Sequence, residues 1–144
     1  MHLLCSVAVT HMNTERGTVL LVEDDHGTRE MFECALRMEG FEVQVAHDGL
    51  AALRLLDQQV PDVVVLDLDL PQVNGFDVQQ EVVSHVETQA IPIIIVTATE
   101  WEVPSSVFRT LRKPITPDVL IDVVGKALSA SGGSGPTVAR QFDN

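Results

Sequence analysis

Asp67 ends the apolar run Val63-Val64-Val65-Leu66, and a carboxylate there is a candidate for chemistry. A continuous β-branched run bounded by turn signals reads as a strand buried on both faces of a parallel sheet. The carboxyl end of such a strand lies at the edge where open α/β folds place their ligand sites. Glu23-Asp24-Asp25 close an earlier run, Thr18 to Val22; Thr97 closes a later one, Ile91 to Thr97; Lys113 follows a fifth, Val107 to Leu111. Acids brought to one edge repel, and a hard divalent cation with oxygen ligands, Mg²⁺, relieves that repulsion. An aspartate beside such a cation can act as a nucleophile toward phosphorus. Phosphoryl transfer then needs positioning and charge neutralisation. Mg²⁺ would take one phosphoryl oxygen, the Lys113 ammonium a second, and the Thr97 hydroxyl or a backbone N–H the third.

The elements that must position these residues alternate. The spacing predicts a helix from about Gly27 to Met38, with Met31, Ala35, Leu36 and Met38 on its apolar face and Gly40 as its stop. Phe41 to Ala46 alternates as a half-exposed strand does. A second helix carries Ala52, Leu55 and Leu56. Pro71 to Gly75 is a turn before a third helix, which reaches about Val86. The last helix has Thr116 as cap, Pro117 in first position, and Leu120, Val123, Val124, Ala127 and Leu128 at helical spacing. Alternation of this kind implies an α/β fold: a doubly wound parallel sheet of five strands with right-handed crossovers. All strands then point one way, so Glu23, Asp24, Asp67, Thr97 and Lys113 emerge at one edge.

A chain of 144 residues with 45% hydrophobic content is one ordinary domain. Twenty-one acidic against nine basic residues give a net charge of −12, which argues against direct nucleic-acid binding. No apolar run approaches the ~18 residues that cross a bilayer. Residues 1–17 read as an N-terminal extension, with Met12 as an alternative start. The domain spans 18–129, and 130–144 form a Gly- and Ser-rich flexible tail. Cys5 and Cys34 lack metal spacing and are expected to be free cytosolic thiols.

The set resembles the receiver domain of two-component response regulators, the chemotaxis-regulator-like fold. The residues that carry the resemblance are Val22-Glu23-Asp24-Asp25, the stretch Pro61 to Pro71 around Asp67, Gly75, Ile93 to Ala98, and Lys113-Pro114. It covers about Thr18 to Ser129. It implies strand order 2-1-3-4-5. It also implies that Asp67 accepts a phosphoryl group from a histidine kinase or histidine phosphotransfer protein. In that scheme Asp24, Asp67 and the backbone carbonyl of Asp69 bind Mg²⁺, and Glu23 acts through a metal-bound water. Thr97 and Lys113 hold the phosphoryl group, and the Lys113–Pro114 bond is cis. Such a protein is expected to be cytoplasmic, to catalyse only its own phosphorylation and dephosphorylation, and, standing alone, to act through protein contacts.

Two features depart from the family pattern. Only fifteen residues lie between Thr97 and Lys113, with Pro104 among them, so the fourth helix is expected to be absent or reduced. The family's switch aromatic, three residues before the lysine, is Thr110 here; strand alternation would put Phe108 on the same face. Trp101 either covers the core edge or anchors a partner or homodimer contact. Two other functions compete. Asp67-Leu68-Asp69 looks like the DxD of haloacid-dehalogenase-type phosphatases, although Pro71 and the missing later acidic pair weigh against it. A degenerate receiver serving only as a docking module is the other.

Overall fold

The computed structural model describes residues 16–70, 74–98 and 107–131. Strands β1 (Thr18–Val22), β2 (Glu42–Ala46), β3 (Val63–Asp67), β4 (Ile93–Thr97) and β5 (Arg109–Arg112) alternate with helices α1 (His26–Met38), α2 (Gly49–Gln58), α3 (Gly75–Ser84) and α4 (Pro117–Ser131). The sheet is fully parallel in the order β2-β1-β3-β4-β5, the expected one. The central strands β3 and β4 are buried at every residue, as uninterrupted apolar runs require.

Alternation along the strands divides the core in two. Val19, Leu21, Val63, Val65, Ile94 and Val96 face α1 and α4, which contribute Phe32, Leu36, Leu120, Val124 and Ala127. Leu20, Val22, Val64, Leu66, Ile93 and Ile95 face α2 and α3, which contribute Ala52, Leu56, Val78 and Val82. The sheet is thus covered on both sides, and its carboxyl edge is where the loops gather.

Several local expectations change. The core face of α1 is Phe32 and Leu36, an i, i+4 pair, while Met31 and Met38 stand exposed. Helix α3 ends at Ser84 and leaves Val86 in solvent. Helix α4 runs on to Ser131, two residues past the expected domain end at Ser129. Strand β5 begins at Arg109, so Phe108 precedes it and escapes its alternation. Phe108 packs with Leu111 against the α1–α4 side, and Thr110 is exposed. Cys34 is disulfide-bonded rather than free; Cys5 lies outside the described residues. The expected loss of the fourth helix, the placing of Trp101, the turn residues 71–73 and most of both termini also lie outside them.

Candidate functional site

Glu23 is the first residue beyond β1, held in line by its N–H donating to the Ala46 carbonyl at 3.0 Å. Its side chain is buried, 2% exposed, although it is an acid. Oε2 accepts from the Asp25 N–H at 3.2 Å, and Oε1 lies 2.8 Å from Lys113 Nζ. Asp67 closes β3 between Leu66, which pairs with Val22, and the β4 neighbour Val96. It too is buried. Oδ1 accepts from the Asp69 N–H at 2.9 Å, and Oδ2 accepts from Lys113 Nζ at 3.3 Å.

Lys113 reaches both acids because its backbone N–H donates to the Thr97 carbonyl at 2.8 Å, extending the β4–β5 ladder one residue. The Lys113–Pro114 peptide is cis, as expected. Thr97 is buried at the end of β4, and its hydroxyl donates to Asp69 Oδ2 at 3.3 Å. Asp69 was expected to offer only its carbonyl; its carboxylate and amide also connect Thr97 to Asp67.

Burial dominates the electrostatics. Desolvation, aided by the nearby Asp67 charge, pushes Glu23 up to about 7 against the hydrogen bond from Lys113. Burial pulls Lys113 down, but its hydrogen bond to Glu23 and the charge of Asp67 outweigh this and hold it above the ordinary lysine value. One ammonium therefore serves two buried carboxylates.

Asp24 stands beside this pair in solvent. Glu23, Asp24 and Asp67 each offer an oxygen within 4.8 Å of the others. Two oxygens across a Mg²⁺ ion bound at ~2.1 Å lie roughly 4.2 Å apart, so the donor set and spacing fit a hard cation. Asp25 is not one of the three. It is the N-cap of α1, its Oδ2 accepting from the Thr28 N–H at 2.9 Å.

Two contacts were not legible in the sequence, one of them at Gly75, a residue that already carries the resemblance. Gly75 lies so close to the end of β3 that an added Cβ would stand 2.5 Å from Leu68 Cα and 2.6 Å from the Asp67 carbonyl oxygen. Arg29 donates from Nη1 to the Glu23 carbonyl at 3.0 Å and to the Asp24 carbonyl at 3.4 Å. A glycine in a turn and an arginine on a helix are too common to signal these contacts.

Comparison with known proteins agrees with this geometry. The family model described as "Response regulator receiver domain" matches residues 19–125. The transcriptional regulatory protein CreB of Escherichia coli is 39% identical over 90 residues, 62% of this chain and 38% of CreB. The DNA-binding response regulator MtrA of Mycobacterium tuberculosis is 40% identical over 87 residues, 60% of this chain and 37% of MtrA. The chain thus spans well under half the length of these curated relatives. Among solved structures, the chemotaxis response regulator CheY4 of Vibrio cholerae superposes with a TM-score of 0.71 at 27% identity, covering 81% of this chain and 99% of that one. The receiver domain of sensor histidine kinase PA1611 of Pseudomonas aeruginosa, which has a magnesium ion coordinated in its active-site cleft, gives a TM-score of 0.71 at 25% identity, covering 78% and 98%. With its sheet order, its acids at one edge and a family match across nearly the whole described domain, the chain belongs to the response regulator receiver domain family.

Proposed function

We propose that Asp67 is the phosphoacceptor of a two-component phosphorelay, taking its phosphoryl group from a sensor histidine kinase or a histidine phosphotransfer protein. The observation that carries this reading is the buried Asp67 carboxylate, which shares the Lys113 ammonium with Glu23 beside the exposed Asp24. An Asp67 oxygen attacks phosphorus, the P–N bond to the donor imidazole breaks, and its electron pair leaves with the imidazole nitrogen. Lys113, already between the acids, offsets negative charge on the incoming phosphoryl oxygens. The Thr97 hydroxyl exchanges its bond to Asp69 for one to the phosphoryl group.

The carboxylates of Glu23, Asp24 and Asp67 and the carbonyl of Asp69 would hold Mg²⁺, with Glu23 acting through a bound water. When bound, the ion supplies charge neutralisation at the phosphoryl oxygens. The buried, neutral-prone Glu23 supports this: an acid raised to about 7 beside two others is a group whose ionised form awaits a cation.

In this reading the domain acts on no substrate but its own aspartate; the family match does not favour the phosphatase alternative, and the intact set of Glu23, Asp24, Asp67, Thr97 and Lys113 weighs against a docking module alone. In this reading the phosphorylated domain passes its state on through protein contacts. The net charge of −12 disfavours direct nucleic-acid contact. Among the described residues no helix is long and apolar enough to cross a membrane. Incubation with Mg²⁺ and acetyl phosphate, followed by intact mass, tests the reading. The wild type should gain one phosphoryl group and Asp67→Asn none. An unmodified wild type, or an Asp67→Asn variant modified equally, overturns it.

A further inference from the structure

The first turn of α1 contains a cation where helix electrostatics favour an anion. Arg29 is the fourth residue of that helix, close to its positive end, and no acid occupies the first turn. Its contacts account for the position. The guanidinium reaches back through Nη1 alone to the carbonyls of Glu23 at 3.0 Å and Asp24 at 3.4 Å, so one nitrogen bridges the peptide that joins the two acids. Nη2 lies 3.1 Å from His26 Nδ1, and since guanidinium only donates, the imidazole accepts. His26 Nε2 is in turn 3.3 Å from Glu30 Oε2. Glu30 and His26 thereby fix the direction of the fork from the helix side.

We infer that Arg29 is a positioning residue for the cation site: it clamps the Glu23–Asp24 backbone so that the exposed Asp24 carboxylate stays beside Asp67. The inference deepens the proposed function and rests on it. Asp24 lies in solvent, and its carbonyl is held by the Arg29 guanidinium. The planar guanidinium keeps Nη1 on both carbonyls while His26 holds Nη2, a two-ended arrangement that a single ammonium does not reproduce. Outer partners of this kind tune metal affinity through the ligands they orient.

The sign of the effect separates this role from a simple field effect. Removing a positive charge near a cation site should tighten cation binding by Coulomb's law alone. Removing a clamp should weaken it. Calorimetric titration of the full chain with MgCl₂ is therefore made on wild type, Arg29→Met, Arg29→Lys and Arg54→Met. Arg54 is an exposed arginine on α2, so its variant controls for net charge. Arg29→Met should weaken Mg²⁺ binding by about tenfold. Arg29→Lys, which keeps the charge and loses the fork, should weaken it by a smaller, measurable factor, and Arg54→Met should match wild type. Circular dichroism of the metal-free samples establishes that each variant is folded. Binding by Arg29→Met as tight as wild type or tighter overturns the inference; should that variant not fold, unchanged binding by Arg29→Lys does so. A wild type that binds no Mg²⁺ overturns the site reading itself, whereas a wild type that binds beside an indifferent Arg29→Met overturns only the clamp.

Discussion

Replacing Gly75 with alanine should damage both the stability of the domain and the chemistry at Asp67. The new Cβ would meet Leu68 Cα at 2.5 Å, the Asp67 carbonyl oxygen at 2.6 Å and Leu68 Cδ2 at 2.9 Å, all closer than real Cβ atoms come. The leucine methyl can turn aside, but the two backbone atoms cannot. They end a strand bonded on both sides within the sheet. Helix α3 must therefore move outward by at least half an ångström to restore 3.0 Å. That strains the Gly75 N–H bond to the Leu68 carbonyl, 3.3 Å long, and lifts Val78 and Val82 from the core. Overpacking of this kind costs about 1–3 kcal/mol, and losing a backbone hydrogen bond adds about 1 kcal/mol. Alanine's better helix propensity returns somewhat under ~1 kcal/mol at a helix end. The net expectation is a loss of about 1–3 kcal/mol, or roughly 5–10 °C in Tm for a domain of this size. Urea unfolding followed by circular dichroism measures it, and acetyl phosphate labelling of the folded variant measures the site. Stability within ~0.5 kcal/mol of wild type would refute the steric argument. A large stability loss with an unchanged labelling rate would refute the link from Gly75 to Asp67.

Glu23, raised to about 7 from an ordinary 4.5, favours the folded state most below 4.5, and that contribution is lost as pH rises through 7, so the metal-free protein should be more stable at pH 5.5 than at pH 8. Mg²⁺ should reverse this trend, because binding displaces the Glu23 proton; affinity should climb about tenfold between pH 6 and pH 8, with Glu23→Gln flattening the profile in calorimetry. Lys113→Met should leave two buried carboxylates without their shared ammonium and cost about 3 kcal/mol at pH 8, less at pH 5.5, by chemical denaturation. Asp25→Ala removes only the α1 cap, so it should cost about 1 kcal/mol in unfolding while Asp67 labelling stays at the wild-type level.

What was legible in the sequence is what burial imposes. Val63 to Asp67 and Ile93 to Thr97 announce themselves because strands covered on both faces must be apolar throughout. Their order along the chain then brings the acids, Thr97 and Lys113 to one edge. Element ends and amphipathic faces were less legible. Leu36 reads as core and is buried, but Met31 and Met38 read as core too and stand exposed, while the sheet takes Phe32 in their place. Strand β5 has the sequence RTLR and faces solvent at most positions, so it offers no periodicity, and it begins at Arg109, two residues after the Val107 that the apolar run suggests. Contacts that span the chain left no local trace. The Asp69–Thr97 bond joins residues 28 apart, and Gly75 against Asp67 depends on where the sheet stops.

Lys113 directly follows strand β5. Glu23 and Asp67 extend from β1 and β3, which are anchored in the middle of the sheet, whereas Lys113 hangs from an edge strand of four residues, three of them exposed. Segments with little buried apolar surface open at far lower free energy than the core around them. The ammonium can therefore withdraw from the acids through a local opening at the rim, with the rest of the sheet intact. Amide exchange should report this as earlier loss of protection at Leu111 and Lys113 than at Val65. The site is built with its negative charges fixed and its balancing positive charge on a detachable arm.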